Sequence, residues 1–389
     1  MQLQSNNVYR NILFLSFFFA GFSLYSVFIP LLLVSLSLSV YKNKTLYLGS
    51  YATSLNILFI ILFVFCVFFI GSSQLYLDTP TKYAVYIIFM ITCLSLLLLN
   101  NIENAEGMLL FFILGIFVRA EYVVIYSFFQ PSGIYGYGKL LDPFSHEEIN
   151  SPGISNSLAI VFTYILVAFK NKSFYEKCSL VLIYPLILLS SIFLGGRAFF
   201  VIAALGLFHQ YGKNINLKTI FLLFLIGFGV LVLFFFVFKD VPIFDKYFNL
   251  VFERFGSEGL KSARFELIQD GIRKFMMQPM GGFTPSASEY SGNWYHNIYL
   301  DSARVAGFIP LIMILISNFI VFISYLARRK YNRNVKNPYF FLSLITLIVM
   351  CQDVVLEGNM MLLICYSLFA SMHIQTTRNK TSEALLQSK

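Results

Sequence analysis

The chain is 389 residues long, and 58% of its residues are apolar while only 12% are charged. Phenylalanine and tyrosine alone account for 45 and 24 residues. This composition excludes an ordinary soluble domain. The formal net charge is +9, so the distribution of lysine and arginine along the chain decides what that charge means.

Apolar runs near the length that crosses a bilayer as a helix, about 20 residues, recur along the chain. They occupy residues 51–70, 83–99, 178–194, 219–238, 305–326 and 338–350. Helices satisfy their backbone groups within one segment, and the alternation typical of an outer-membrane barrel is missing. We therefore predict an all-α, polytopic helical membrane bundle in which residues 1–389 form a single transmembrane domain.

The N-terminal apolar stretch, residues 11–40, continues to Val40 without a small-residue cleavage site, which is typical of a retained anchor. It could form one long tilted helix or two short helices broken near Gly21. Two helices are favoured and give about twelve spans with both chain ends inside. One helix would give eleven spans with the N-terminus outside.

The basic residues indicate the orientation, because short loops rich in lysine and arginine stay inside. The most basic loop is ARRKYNRNVK at residues 327–336. Placing it inside makes residues 239–300 a long periplasmic loop and residues 375–389 a cytoplasmic tail. The net charge then follows from topology and requires no nucleic acid as a partner.

Polar motifs for cofactors are not evident. The five cysteines lie in or at the edge of apolar segments and have no metal-ligand spacing. A phosphate-binding GxxxxGKS loop is also missing. We predict no disulfide, no metal site and no cofactor.

The outer loop contains an amphipathic helix at about 260–278, expected to lie on the bundle or on the lipid surface. Its apolar stripe consists of Phe265, Ile268, Ile272 and Phe275. Pro279 and the two following glycines end it. Arg264 lies near its start, where backbone amides favour an anion. The alternative is that Arg264 is a solvated surface charge.

GGRA, residues 195–198, joins two apolar segments and places Arg197 at a hairpin tip on the outer face. Glycines there allow the backbone to approach a ligand closely. The alternative is an arginine that extends to lipid headgroups.

WYHNIYLDSARVAG, residues 294–307, precedes a spanning helix and contains His296, which can accept or relay a proton near neutral pH. Asn297, Asp301 and Arg304 follow at helical spacing, so Asp301 and Arg304 could simply form an ion pair. Trp294 and its neighbouring tyrosine fit an interfacial aromatic belt or a platform for a sugar.

Four charged residues lie within or near the apolar segments and should face the bundle interior or a wet cavity. They are Arg119, Glu121, Asp353 and Glu357. Arg119 and Glu121 are two residues apart, so their partners should come from other helices. Asp353 and Glu357 could be structural or could bind an acceptor.

The order and spacing of these motifs resemble the bacterial O-antigen polymerase (Wzy) and O-antigen ligase (WaaL) family. The matching parts are GGRAFF, SARFELIQDGIRKFMMQPMGG, HNIYLDSARVAG and the basic loop that follows, with QDVVLE later. The resemblance covers residues from about 190 to 356; the N-terminal half matches only in hydropathy and in a loop ending NSPGISNSLA. Ile268 replaces a common aromatic residue, and Asp301 replaces the longer glutamate.

The resemblance implies a metal-independent, C-type glycosyltransferase of the bacterial inner (plasma) membrane, with its active site facing the periplasm. Its donor would be an oligosaccharide linked to undecaprenyl pyrophosphate. Arg197 and Arg264 would bind the pyrophosphate, which suits a leaving group that develops negative charge. His296 would act on the acceptor hydroxyl as general base or orienting group. Asn297 and Asp301 are the remaining substrate-binding candidates, and Asp301 is expected to hold the surroundings of His296.

Three activities remain open at this point: a polymerase of repeat units, a ligase to lipid A core, and a flippase for lipid-linked oligosaccharides. The loop 239–300 has seven basic and seven acidic residues, so it offers no excess positive charge for a polyphosphorylated acceptor. This balance favours the polymerase, for which a chain-length-regulating copolymerase is an expected partner. A flippase would more typically show an internal repeat and charges along a central cavity.

Overall fold

The computed structural model describes residues 2–43, 51–76, 80–100, 102–130, 139–168, 174–212, 263–286, 292–331 and 337–387. Within these ranges the chain is mostly helical, as predicted, and one antiparallel pair of strands is present, β1 (Lys139–Leu141) with β2 (Glu148–Asn150). The helices are α1 (Gln2–Gly21), α2 (Tyr25–Asn43), α3 (Tyr51–Phe65), α4 (Pro80–Leu99), α5 (Ile102–Phe128), α6 (Ser151–Ala168), α7 (Phe174–Leu194), α8 (Arg197–Tyr211), α9 (Ala263–Met277), α10 (Ile298–Ala306), α11 (Phe308–Tyr331), α12 (Pro338–Met350) and α13 (Met361–Gln387).

Four helical segments in the described part of the chain are long and apolar enough to cross a membrane: Tyr51–Ile70, Thr81–Leu99, Glu103–Phe128 and Phe308–Arg329. Five shorter apolar helices accompany them: Val27–Lys42, Ser151–Val167, Ile183–Leu194, Pro338–Met350 and Met361–Thr376. Length and composition therefore agree with a helical membrane protein.

Several predicted segments lie outside the described residues. These are the apolar run 219–238, positions 239–262 and 287–291 of the outer loop, and positions 332–336 of the basic loop. The predicted tail, 375–389, is helical as far as Gln387 because α13 continues into it.

The N-terminal apolar stretch is divided into α1 and α2, as the sequence favoured. Ser23 has a φ of 62°, in the left-handed region, so the helix cannot continue through it. New helical hydrogen bonds begin at once, with Val27 N donating to the carbonyl of Leu24 at 3.0 Å. The break lies two residues after the position expected at Gly21.

The described residues belong to two compact units, the first formed by Met1–Arg119 with Ala263–Lys389 and the second by Ala120–Ser262. In the first unit, α1 packs closely against α5 through glycines. A Cβ atom on Gly21 would lie 2.1 Å from the carbonyl oxygen of Phe112, and one on Gly115 would lie 2.1 Å from that of Phe18. Small residues allow this backbone approach between membrane helices.

The same unit contains the elements that carry Arg264, His296, Asn297 and Asp301 of the predicted site. α9 packs on α10, α10 packs on α11, and α11 packs on α3 and α13. The predicted run 305–326 is interrupted at Gly307, whose φ of 72° ends α10 before the long helix starts at Phe308. Phe308 N donates to the carbonyl of Pro279 at 2.9 Å, which fixes the segment after α9 to this junction.

The second unit contains the end of α5, the two strands and α6 to α8. α6 packs against α7 and α8. The strands form a hairpin in which Lys139 pairs with Asn150, and the side chain of Asp142 accepts from the turn amide of Phe144 at 2.8 Å. This hairpin leads directly into the first turn of α6 at Ser151.

Candidate functional site

His296 lies in the loop before α10, and its φ of 51° is in the left-handed region. This conformation is uncommon for residues other than glycine. The two flanking amides donate to one carboxylate: Tyr295 N lies 2.8 Å from Oδ1 of Asp301, and Asn297 N lies 3.1 Å from Oδ2. Asp301 is 2% exposed, so a buried carboxylate holds the histidine loop from both sides.

Asn297 caps helix α10. Its Oδ1 accepts from Tyr299 N at 3.0 Å and from Leu300 N at 3.3 Å. A capping asparagine satisfies amides that the first helical turn leaves without helical partners. The sequence suggested substrate binding for Asn297, whereas its side-chain oxygen is engaged in starting the helix that carries Asp301.

Arg304 is buried beneath this loop and connects Asp301 to a distant part of the chain. Its Nε lies 3.6 Å from Asp301 Oδ1, and its Nη2 forms an ion pair with Glu357 Oε1. Nη1 donates to the carbonyl of Gln74 at 2.8 Å. The Asp301–Arg304 ion pair that the spacing suggested is therefore present, at the centre of a buried network in which each charge has partners.

Glu357 joins the network to two aromatic residues through its second oxygen. Oε2 accepts from Tyr76 N at 2.7 Å and from Trp294 Nε1 at 2.9 Å. The ring of Tyr76 meets the ring of Trp294 edge-on and lies 5.1 Å from the guanidinium of Arg304. Of the two roles open for Glu357, these contacts favour the structural one.

Two more charged residues, Arg264 and Asp353, influence the pKa of His296. Burial lowers the pKa of His296, the charge of Arg264 lowers it further, and the carboxylate of Asp353 raises it. Both charges therefore influence the protonation of the imidazole. Because the net shift of the pKa is downward, the imidazole is neutral at pH 7 and can accept a proton.

Asp301 and Asp353 differ in their surroundings. Burial raises the pKa of Asp301 to about 6, against the opposing charge of Arg304 and the two amide hydrogen bonds. Asp353 caps its own loop, accepting from Val354 N at 2.8 Å and from Asn359 Nδ2 at 3.2 Å. At pH 7 Asp301 is ionised, so it can hold the histidine loop with both oxygens.

Arg264 lies in the first turn of α9, and Asp270 fixes that helix to the histidine loop. The Asp270 carboxylate accepts from Tyr295 Oη at 3.3 Å and from Ser286 N at 3.0 Å. Burial alone would raise the pKa of Asp270, but hydrogen bonds from Ser286 and Arg273 hold it below its usual value. The position of Arg264 is thus tied to the loop that carries His296.

Arg197 belongs to the second compact unit, where it is the first residue of α8. The preceding Gly195 has a φ of 62°. A Cβ atom on Gly196 would lie 1.8 Å from Oγ of Ser155 in α6, so only glycine fits between the two helices. The GGR motif therefore places an arginine at a helix N-terminus, the end of a helix that favours anions.

Of the two charges predicted within α5, Glu121 has a hydrogen-bond partner on another helix, as expected. Ser190 of α7 donates to Glu121 Oε2 at 2.5 Å in the second unit. In the first unit the guanidinium of Arg119 lies 5.9 Å from the ring centroid of Phe22.

Sequence reasoning overlooked two parts of the site. The first is the segment at Gln74 and Tyr76, whose hydrogen bonds to the network come from backbone groups and so leave no signal in residue type. The second is Asp270, which lies on the packed face of α9 with Leu267 and Gly271, where a carboxylate needs buried partners. The sequence did not single it out because periodicity did not show which face of α9 packs.

Known proteins give no independent guide to this arrangement. The chain matches no protein family model, and no curated protein matches it. A functional proposal therefore depends on the contacts described above and on the sequence motifs that they connect.

Proposed function

We propose that this chain is a glycosyltransferase of the bacterial inner (plasma) membrane that polymerises repeat units of a surface polysaccharide at the periplasmic face. The observation that carries the proposal is the His296 loop. A neutral imidazole stands in a strained loop held by a buried carboxylate, with the charges of Arg264 and Asp353 acting on it. Perturbed ionisable groups with defined partners are typical of catalytic sites.

In the proposed reaction, an acceptor sugar hydroxyl attacks the anomeric carbon of a glycan carried on undecaprenyl pyrophosphate. The new bond is a carbon–oxygen bond, the bond from the anomeric carbon to the diphosphate breaks, and the diphosphate leaves with the electron pair. His296 accepts the hydroxyl proton. Arg264 neutralises the charge that develops on the diphosphate, which a planar guanidinium group can contact through two hydrogen bonds. The resemblance of the sequence motifs gives Arg197 the same role.

The proposed topology has about twelve spans, with residues 239–300 outside and the basic loop inside. Its test is chemical labelling of intact cells or spheroplasts with a membrane-impermeant thiol reagent. A cysteine placed within residues 285–293 should react from outside, and one at residue 332 should not. The reverse pattern would contradict the orientation and the proposed function with it.

The choice of polymerase over ligase is supported by the zero net charge of residues 239–300. A ligase must admit lipid A core, whose phosphates require a positive field near the site. Deletion of the gene should leave the glycolipid capped with a single repeat unit. Core without any repeat unit, with long chains stranded on undecaprenyl pyrophosphate, would identify the ligase instead.

A further inference from the structure

Helix α9 (Ala263–Met277) has three faces rather than two. Its inner face packs on α10, where Leu267 is buried and a Cβ atom on Gly271 would already lie 2.9 Å from Leu300. The missing side chain of Gly271 lets α10 approach on that side, and Phe275 of the predicted stripe packs against the same buried cluster. Of the predicted stripe, Phe265 and Ile272 remain 64% and 53% exposed.

The second face of α9 is apolar and exposed. At 100° per residue, Phe265, Ile272 and Met276 fall within about 40° of one another on the helix. Met276 is 77% exposed, and Met280, just beyond the helix, is 69% exposed. A row of large apolar side chains in contact with water is unfavourable, so a row of this kind indicates a surface that is covered in the cell.

The third face is mainly polar and borders the apolar one, although Met277 at its far edge is also 73% exposed. Glu266 and Arg273 lie about 80° to 100° around the helix from Phe265, and both are exposed. An inner packed face, an apolar face and a flanking charged face together are typical of a helix that lies in the plane of a membrane interface.

The position of α9 indicates which surface covers it. Its end is fixed to the first residue of a membrane-spanning helix, since the carbonyl of Pro279 accepts from Phe308 N at 2.9 Å. Gly282 N also donates to the carbonyl of Arg304 at 2.7 Å, one turn before that span. Met280, which follows Pro279, therefore lies next to the first turn of that helix.

We propose that the Phe265–Ile272–Met276 face of α9 is inserted into the interface of the bilayer that α11 crosses, so that the helix lies in the plane of the membrane. Lipid acyl chains cover the apolar face, and the flank with Glu266 and Arg273 stays at the headgroups and water. Met280 extends the same contact toward Phe308.

The in-plane arrangement also fixes the depth of Arg264. The role of that depth rests on the proposed function, whereas the docking of α9 does not. Arg264 occupies the first turn of the inserted helix. An in-plane α9 holds its guanidinium at headgroup depth, which is where the diphosphate of a lipid-linked glycan is found. The inserted helix α9 would thus set the depth of the diphosphate site relative to the bilayer.

The test uses tryptophan fluorescence, because the chain has a single tryptophan that can be removed as Trp294→Phe. Four single-tryptophan variants of the full chain are made in that background: Phe265→Trp and Met276→Trp on the apolar face, and Glu266→Trp and Arg273→Trp as matched neighbours on the polar flank. Each is reconstituted in phosphatidylcholine vesicles with and without brominated acyl chains, and is also titrated with aqueous iodide. Far-UV circular dichroism checks that each variant is folded.

We expect brominated lipid to quench Phe265→Trp and Met276→Trp several-fold more strongly than their polar neighbours, and iodide to show the opposite order. Quenching by lipid at Met276→Trp alone would overturn the in-plane arrangement. Equal iodide quenching of all four would overturn the insertion. Protection of Phe265→Trp and Met276→Trp from both quenchers would also overturn the insertion. It would show that a protein partner or a second copy of the chain covers the apolar face.

Discussion

The two loops that carry the proposed site residues are held in place by different physical means. The loop of His296 is fixed by charge: a buried carboxylate accepts from the amides on both sides, and a buried arginine links that carboxylate to Glu357. The loop before Arg197 is fixed by shape, because Gly196 lies directly against Ser155. The histidine loop should therefore be sensitive to changes of charge, and the GGR loop to changes of volume.

The different constraints suit the different tasks proposed for the two loops. A general base must present one nitrogen to a hydroxyl at hydrogen-bond distance, which requires a loop with a defined conformation. An arginine that contacts a diphosphate has a long side chain, and its backbone only has to stay at the helix N-terminus.

Removing either proposed diphosphate ligand should abolish transfer. Arg197→Ala and Arg264→Ala should each lower the rate by about 10² to 10³, the loss seen when one donor to a developing negative charge is removed. Lysine at either position should restore only part of the rate, since it cannot bind bidentately. Polymer length on gels and protein level on blots give the readout. Near-normal polymer from both alanine variants would rule out this site.

Charge should matter more than volume in the histidine loop. Asp301→Asn keeps the shape but leaves only one oxygen to accept from the two amides, and it leaves the buried Arg304 with one carboxylate fewer. Hydrogen bonds to a charged group contribute about 1.5 to 3 kcal/mol each, so the rate should fall by roughly 10- to 100-fold. Ser302→Ala, which removes a buried hydroxyl next to Asp301 but keeps the carboxylate, is the control for a change of volume. Equal rates for the two variants would show that the carboxylate does not hold the loop.

These contacts also show how far the sequence could lead. Spacing alone suggested the Asp301–Arg304 pair, because residues three apart share a helical face, and α9 falls within the predicted range 260–278. The partners of Arg304 could not be predicted, since Gln74 is 230 residues away in sequence and Glu357 is 53. Local periodicity carries no information on such contacts. It also could not show which face of α9 would pack, because Gly271 decides that by having no side chain.

Volume should matter more than charge in the GGR loop. Gly196→Ala places a Cβ atom 1.8 Å from Ser155 Oγ, so the chain must shift. Overpacking of this kind lowers the free energy of unfolding by about 1 to 3 kcal/mol. The double variant Gly196→Ala with Ser155→Gly removes the clash and should recover most of the lost stability, so the two substitutions should be strongly coupled in a double-mutant cycle. Thermal unfolding in detergent measures the stability of each variant. Additive losses would show that the close contact with Ser155 is not what requires glycine.

The smallest expected effects are shifts in the titration of His296. Replacing Arg264 by Gln removes a charge that lowers the pKa of His296, so that pKa should rise. Asp353→Asn removes a charge that raises it, so the pKa should fall. The rate at which diethyl pyrocarbonate modifies His296, followed by mass spectrometry across pH, reports the neutral imidazole without requiring activity. Shifts of the same sign in the two variants would contradict the arrangement of charges around the imidazole.

Turnover with purified protein shows whether this chain joins lipid-linked glycans by itself. The full chain is reconstituted in vesicles with a single repeat unit on undecaprenyl pyrophosphate and no other enzyme, and the lipid-linked products are separated by chain length. We expect longer glycans and released undecaprenyl pyrophosphate from the wild type, and neither from His296→Ala. Movement of the substrate across the bilayer without any lengthening would identify a flippase and contradict the account.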